Sequence, residues 1–260
     1  MRSNALGVPS VLLVWLLVGG CSWASDTLGS LFTQAPQALP SAAELYQQGE
    51  TDLNRRRYGD ARAAFLKIVE RHPQSTLAPK ARFLVGEAYY REGEFEQAIK
   101  EFDAFLSFYP RHEIADLVQY RLAMSYYDQM KPVEQDQSAA NKAMVEFRKL
   151  VREYPDSRYA SEALAKADVC RGRLAQKELW VASYYLNLGN LVAARQRLEF
   201  LLKEYPRTLV IPEALFRLGE LQVREGQPRD AQATFRRLAD EYPYTEWGRR
   251  AAQRLRTATR

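Results

Sequence analysis

Cysteine and histidine are the residues of this sequence that could serve as nucleophiles, metal ligands or proton carriers near neutral pH. The 260 residues include two cysteines, Cys21 and Cys170, and two histidines, His72 and His112. This set is too small for a zinc cluster or a disulfide scaffold. The sequence also has no Gly-rich phosphate loop after a strand and no paired carboxylates outside solvated helix faces. We therefore expect neither a catalytic site nor a metal site.

Cys21 follows a short apolar segment of the kind that directs secretion. Arg2 precedes an uncharged stretch whose apolar part, residues 11–18, is far shorter than the roughly twenty residues that a membrane-spanning helix needs. The stretch ends in a run that is similar to a bacterial lipobox, Leu17-Val18-Gly19-Gly20-Cys21. We predict a lipoprotein signal peptide over residues 1–20, cleavage between Gly20 and Cys21, and an N-acyl diacylglycerol group on Cys21. The alternative is an unmodified cysteine that merely follows a secretion signal.

Lipidation would fix the protein to a membrane without a spanning helix, because two or three acyl chains hold far more firmly than one. Ser22 stands where an aspartate would resemble an inner-membrane retention signal, so sorting to the outer membrane is favoured. Residues 21–41 are rich in Ser, Thr, Gln, Ala and Pro and are predicted to be a flexible tether, with a span of about 25 Å. Cys170 then lacks a partner and is expected to be a small buried hydrophobic residue.

The charge of the chain gives no sign of a nucleic-acid partner. Lys and Arg number 37 against 32 Asp and Glu, a formal net charge of +5, and the signs alternate along most of the sequence. The exception is the C-terminal end, where Glu246 is outnumbered by Arg249, Arg250, Arg254, Arg256 and Arg260. Such a basic terminal helix is more often a solvated cap than a DNA-binding arm.

Five repeats account for the rest of the chain. Tyr-Pro or His-Pro dipeptides end five helix-period segments, at Pro73, Pro110, Pro155, Pro206 and Pro243. Three repeats share a template without a gap, in which a glycine is followed after 12 residues by alanine and after 16 by phenylalanine: Gly49, Ala61, Phe65; Gly86, Ala98, Phe102; Gly219, Ala231, Phe235. Small residues let two helices approach closely, and the aromatic fills the space toward the next pair.

This spacing resembles the tetratricopeptide repeat. We predict an all-α, right-handed tetratricopeptide-repeat solenoid of five helix pairs over residues 42–260, with a C-terminal capping helix that Thr245 begins. No room is left for a catalytic domain.

The third and fourth repeats contain insertions. Ala123 and Ala143 are 20 residues apart in place of 12, and the extra residues lie in a polar run, Met130 to Ser138. The fourth repeat has fourteen extra residues, close to four helical turns, before Ala182. We predict one helix from Tyr159 to Leu188, about 45 Å long. Two helices broken at Gly172 are the alternative.

A ligand-binding groove is predicted on the concave side, which the first helix of each pair lines. Positions three before and four after the small residue point into it, and in the first three repeats they are mostly aromatic: Tyr46, Leu53, Phe83, Tyr90, Tyr120 and Tyr127. Lys80 and Arg91 flank this row and could pair with a carboxylate, so the groove could hold a peptide with aromatic side chains. Equally, the rings could pack between repeats. Tyr89 and Tyr126 are assigned to the core.

Several longer runs resemble the BamD family, lipoproteins of the outer-membrane β-barrel assembly machine. The likeness covers residues 42–225, and its specific part is the inserted loop followed by the long helix. The runs that carry the likeness are Glu134–Ser138, Phe147–Ala160, Leu174–Glu178, Ala182–Leu186 and Tyr205–Thr208. The resemblance implies a scaffold on the periplasmic face of the outer membrane that binds the periplasmic repeats of the BamA insertase through its C-terminal half. It also implies that the N-terminal half receives unfolded outer-membrane β-barrel proteins through an aromatic C-terminal signal.

The same resemblance implies a role for one basic residue, since the position that contacts the insertase in this family corresponds to Arg197. Two runs depart from the family pattern, Val169–Arg171 and Asn187–Leu191, so binding of the other small lipoproteins of the machine is left open. A pilotin for a pilus or secretin and a protein that coordinates cell-wall synthesis are the alternative functions. Neither class resembles the five-repeat layout with its long central helix.

Overall fold

The computed structural model describes residues 39–258; the predicted signal peptide, Cys21 and most of the tether lie outside this range. The described residues form eleven α-helices and no strand. In chain order they are α1 Ala42–Asn54, α2 Tyr58–Arg71, α3 Ala78–Glu92, α4 Phe95–Phe108, α5 Ala115–Tyr127, α6 Ser138–Glu153, α7 Ala160–Asn187, α8 Leu191–Glu204, α9 Ile211–Arg224, α10 Pro228–Glu241 and α11 Glu246–Ala258. Consecutive helices pack on each other, so the predicted five helix pairs with a final helix are confirmed.

The ends of the helices follow from local sequence. At the start of α1 the Ser41 hydroxyl accepts from the backbone N–H of Glu44 at 3.2 Å, and the Glu44 carboxylate accepts from the backbone N–H of Ser41 at 2.8 Å. This capping box satisfies donors that the first turn leaves unpaired. The second helix of every pair ends one residue before the Tyr-Pro or His-Pro dipeptide, because proline disfavours a helical residue before it.

Glycine and phenylalanine make the close contact inside the regular pairs. A Cβ atom built on each glycine would lie within 2.5–2.6 Å of a ring carbon of the phenylalanine sixteen residues later: Gly49 and Phe65, Gly86 and Phe102, Gly219 and Phe235. All three rings are buried. Phe65 also shares its core cluster with residues of α3, so the aromatic ring fills space toward the next pair as predicted.

Helix α7 is a single helix of 28 residues, about 42 Å long, that continues through Gly172. The prediction of one long helix is therefore confirmed. Ala163, Ala167 and Cys170 of its first half join the core that α5 and α6 form. Leu179 and Ala182 of its second half belong to a separate core with α8 to α11.

The inserted loop of the third repeat lies where it was expected, between Tyr127 and Ser138. The Gln137 side-chain amide is buried and donates to the carbonyl oxygens of Pro132 at 2.7 Å and Lys131 at 3.2 Å, which holds the loop in one conformation. Lys177 of α7 donates to the carbonyl of Glu134 at 2.9 Å, so the loop is tied to the long helix.

The last helix, α11, begins after Thr245, whose hydroxyl accepts from the backbone N–H of Gly248 at 3.0 Å. It packs on α10 and α9. The predicted cap is therefore present.

Candidate functional site

The predicted aromatic row lies on α1, α3 and α5, and its rings lean on the core. Ring centroids of Tyr46 and Phe65 are 5.8 Å apart, and those of Phe83 and Phe102 are 5.9 Å apart. Tyr127 lies 6.0 Å from Phe147. Four members of the row are half-buried and keep one side open: Tyr46, Phe83, Tyr90 and Tyr127.

Two positions of the row lie in the packing rather than on the open face. Leu53 is buried, and Tyr120 is only 8% exposed. The Tyr120 ring stacks on Tyr159 at 4.9 Å, and its hydroxyl donates to Glu162 at 2.6 Å. Tyr159 immediately precedes α7 and Glu162 lies in its first turn, so the lengthened helix covers Tyr120. Of the two alternatives for the aromatic row, packing between repeats is the one that Tyr120 follows.

Tyr90 and Tyr127 carry charged groups against their rings. The Tyr90 hydroxyl donates to the Asp128 carboxylate, and the Arg121 guanidinium lies 5.2 Å from the centre of the ring. Burial, together with the Asp128 carboxylate, raises the pKa of Tyr90 above its ordinary value. The ammonium of Lys166 lies 4.6 Å from the centre of the Tyr127 ring. Each of the two rings therefore has a cation from another helix close to it.

The two predicted cations are engaged within the chain. Lys80 Nζ lies 2.8 Å from the Glu113 carboxylate. Arg91 Nε donates to Glu87 Oε1 at 2.8 Å, and Arg121 Nε lies 3.1 Å from Glu87 Oε2. Glu87 is 3% exposed. Two guanidinium groups therefore share one buried carboxylate.

Sequence reasoning missed Glu87, Arg121 and Glu162. Glu87 follows Gly86 directly, on a helix turn where the repeat template places packed residues. A charged residue at such a position needs a partner, and this is the signal that could have identified it. Each of the three has one partner more than thirty residues away in sequence: Glu87 pairs with Arg121, and Glu162 accepts from Tyr120.

Tyr89 and Tyr126, assigned to the core, pack against it as predicted while one side of each stays accessible. Arg62 lies 4.2 Å from the Tyr89 ring centre, and Lys142 lies 5.5 Å from that of Tyr126. Each ring therefore lies near a cation from the second helix of a pair, α2 for Tyr89 and α6 for Tyr126.

Arg197 lies on α8 with its side chain 46% exposed, and its Nη1 is 3.2 Å from the Glu178 carboxylate of α7. About half of the Arg197 side chain is therefore open to solvent. The contact with Glu178 fixes the side chain at the junction of α7 and α8.

Cys170 is fully buried and free, as expected, with Sγ 3.9 Å from the sulfur of Met130. Burial raises the pKa of its thiol to about 11. Between residues 39 and 258 no three His, Cys, Asp or Glu side chains come together as a metal site would require. In the same part of the chain no helix has the length and apolar character needed to cross a bilayer.

Comparison with known proteins agrees with these features. A family model described as outer membrane lipoprotein, YfiO, matches residues 39–227, and a tetratricopeptide repeat model matches residues 213–243. The first match includes the aromatic row and the long helix α7. The chain belongs to the YfiO outer membrane lipoprotein family.

Two relatives bear the name outer membrane protein assembly factor BamD. The protein from Caulobacter vibrioides is 29% identical over 92% of this chain and 76% of its own length. That from Rickettsia prowazekii is 27% identical over 92% of both chains. A crystal structure of a TPR repeats protein from Bacteroides fragilis aligns with 85% of this chain and all of its own, at 12% identity and a TM-score of 0.49. The resemblance to the BamD family is confirmed.

Proposed function

We propose that this protein is a lipid-anchored scaffold for the assembly of outer-membrane β-barrel proteins, and that it performs no chemistry itself. The observation that carries the proposal is the family match over residues 39–227, together with the name that the relatives share. The half-open aromatic row adds a surface on which an unfolded protein segment could bind.

Anchoring at Cys21, with removal of residues 1–20 and a tether over 21–41, is part of the proposal. Mass spectrometry of the mature N-terminal peptide tests it: the expected mass carries the acyl groups on Cys21, and a free thiol there would contradict it. Processing should also be blocked by globomycin, and the protein should sediment with outer-membrane vesicles.

The aromatic row is proposed to bind the aromatic C-terminal signal of an unfolded barrel protein. Tyr90→Ala combined with Tyr127→Ala removes two open rings. If each ring contributes about 1 kcal/mol to binding, the affinity for a peptide that ends in phenylalanine should fall about thirtyfold. Tyr244→Ala, at a 93% exposed tyrosine in another part of the chain, is the matched control. Unchanged affinity in the double variant would contradict the groove.

The charge next to the row is proposed to recognise the terminal carboxylate of that peptide. Arg91→Gln should lower the affinity for the peptide with a free C-terminal carboxylate. The affinity for the same peptide with a C-terminal amide should stay unchanged. An equal loss for both peptides would mean that Arg91 acts through Glu87 on the fold, not on the ligand.

Arg197 is proposed to contact the periplasmic repeats of the BamA insertase. Arg197→Glu should release the insertase from a pull-down while the protein stays folded. Because Arg197 also pairs with Glu178, the exchanged pair Arg197→Glu with Glu178→Arg is the needed control: it restores the internal ion pair. If the exchanged pair recovers the insertase, Arg197 has only a structural role.

Affinity purification of the full lipoprotein from its native membrane tests the function as a whole. We expect a β-barrel insertase of the BamA type, with other small lipoproteins of the machine as further components. A secretin or a cell-wall synthase in its place would transfer the proposal to those systems.

A further inference from the structure

A concave surface that shares no residue with the aromatic row lies between α7 and the turn that joins α8 to α9. We call it the α7 groove and define it by six of its lining residues: Val169, Gly172, Arg173, Gln176, Arg207 and Leu209. None of these residues belongs to the predicted peptide site.

Its rim carries an apolar side chain that the repeat template does not call for. Leu209 is 97% exposed and stands three residues after Pro206. The same position is polar in the other four repeats, where it is occupied by Thr76, Glu113, Arg158 and Glu246. Val169, on the α7 side, is 52% exposed. Two aliphatic side chains therefore flank the groove, of which Leu209 is almost fully exposed and Val169 about half exposed.

Its floor includes a glycine that internal packing does not require. Glycine is among the least favourable residues in a helix interior, and a Cβ on Gly172 would meet nothing within 4 Å. In contrast, a Cβ on Gly86 would collide with Phe102. The absence of a side chain at Gly172 leaves room for another backbone to lie close against the helix.

The groove is also positively charged. Arg171 pairs with Asp168 at 3.4 Å. Arg173 and Arg207 line the same groove, and neither has a carboxylate partner among residues 39–258. The excess of guanidinium groups favours an acidic occupant, since arginine binds carboxylates with charge-assisted hydrogen bonds.

The groove is open because of the fourteen inserted residues. The first half of α7 packs on α5 and α6, whereas α9 shares a core with α7 only through residues from Leu179 onward. The part of α7 around Gly172 thus lies beside the α8–α9 turn with no helix covering it.

We propose that the α7 groove binds an acidic segment of a partner protein. An apolar side chain of that segment packs between Val169 and Leu209, its backbone lies over Gly172, and its carboxylates face Arg173 and Arg207. The inference does not depend on the proposed function, because none of these residues takes part in the aromatic row or in the contact of Arg197.

Photo-crosslinking of the full lipoprotein in the cells that produce it tests the proposal. A benzophenone amino acid at position 209 should give one discrete protein adduct, and the same amino acid at Thr76, the equivalent position of the first repeat, should not. Mass spectrometry should place the crosslink in a segment of net negative charge. Arg173→Glu with Arg207→Glu should reduce the adduct about tenfold or more, as expected for the loss of charge-assisted contacts.

A second variant separates binding from folding. Gly172→Leu fills the floor of the groove at a position where the chain has open space, so it should abolish the adduct without lowering the thermal midpoint. Adducts that persist in both variants would overturn the proposal, as would an adduct only with a second copy of this chain, only with lipid, or with no partner at all. The insertase pull-down, scored in the same cells, reports on the proposed function separately.

Discussion

Phe102 lies directly over Gly86, so that a Cβ atom on the glycine would come within 2.6 Å of the ring carbon Cε1. The ring is fully buried and belongs to the core that joins α4 to α5. This contact sets how closely α3 and α4 approach, and the same relation recurs in the first and the fifth repeats.

Gly86→Ala should therefore destabilise the protein by about 1–3 kcal/mol, because the ring or the helix must move to admit the methyl group. Gly172→Ala is the matched control: it makes the same substitution in a helix interior with open space, and should stabilise by about 0.5–1 kcal/mol. Urea unfolding followed by circular dichroism measures both. The same sign for the two variants would contradict the close contact.

Cys170 should be unreactive in the folded protein. It is fully buried and the pKa of its thiol is raised to about 11, so little thiolate is present or accessible at pH 8. A thiol reagent applied to a variant that lacks Cys21 should label it only after urea is added. Rapid labelling without urea would mean that the core of α5 to α7 opens readily.

Alkaline pH should lower the free energy of unfolding. Burial, with the nearby carboxylates, raises the pKa of Tyr90 and Tyr120 in the folded protein, whereas tyrosines of the unfolded chain ionise near pH 10. A raised folded pKa gives stability that is present below about pH 10 and is lost as the pH rises through the folded value. Urea unfolding between pH 8.5 and 11 should show the decline.

Tyr120→Phe should remove part of that pH dependence, because it removes the phenol that bonds to Glu162. Tyr244→Phe, at an exposed ring, should leave it unchanged. If the two variants give equal slopes, Tyr120 is not the group responsible.

The ion pair between Arg195 and Glu225 should contribute modestly to the free energy of unfolding. It joins α8 to the residue after α9, and the two side chains are 25% and 17% exposed. A double-mutant cycle with Arg195→Ala and Glu225→Ala should give a coupling of about 0.5–1 kcal/mol that falls at high salt. The exposed pair of Arg237 and Glu241 within α10 should give a smaller coupling free energy. A larger coupling in that pair would contradict the role assigned to partial burial.

The fold was predictable from local spacing, and the state of several site residues was not. Prolines ended the helices where expected, and the insertion of four turns before Ala182 predicted α7, because both effects act along the chain. The burial of Tyr120 depends on Tyr159 and Glu162, about forty residues later, and Lys80 is held by Glu113 of the next repeat. Such contacts arise only once neighbouring repeats are packed.

Helix α7 supplies side chains to two cores that are otherwise distinct. When one core unfolds, α7 loses the contacts that hold that half of the helix. The other half, which packs in the second core, is then less well held, because a helix is stiff along its axis. Unfolding of either core is thereby coupled to unfolding of the other. We expect α7 to give the repeat array more cooperative unfolding than contacts between neighbouring repeats alone would.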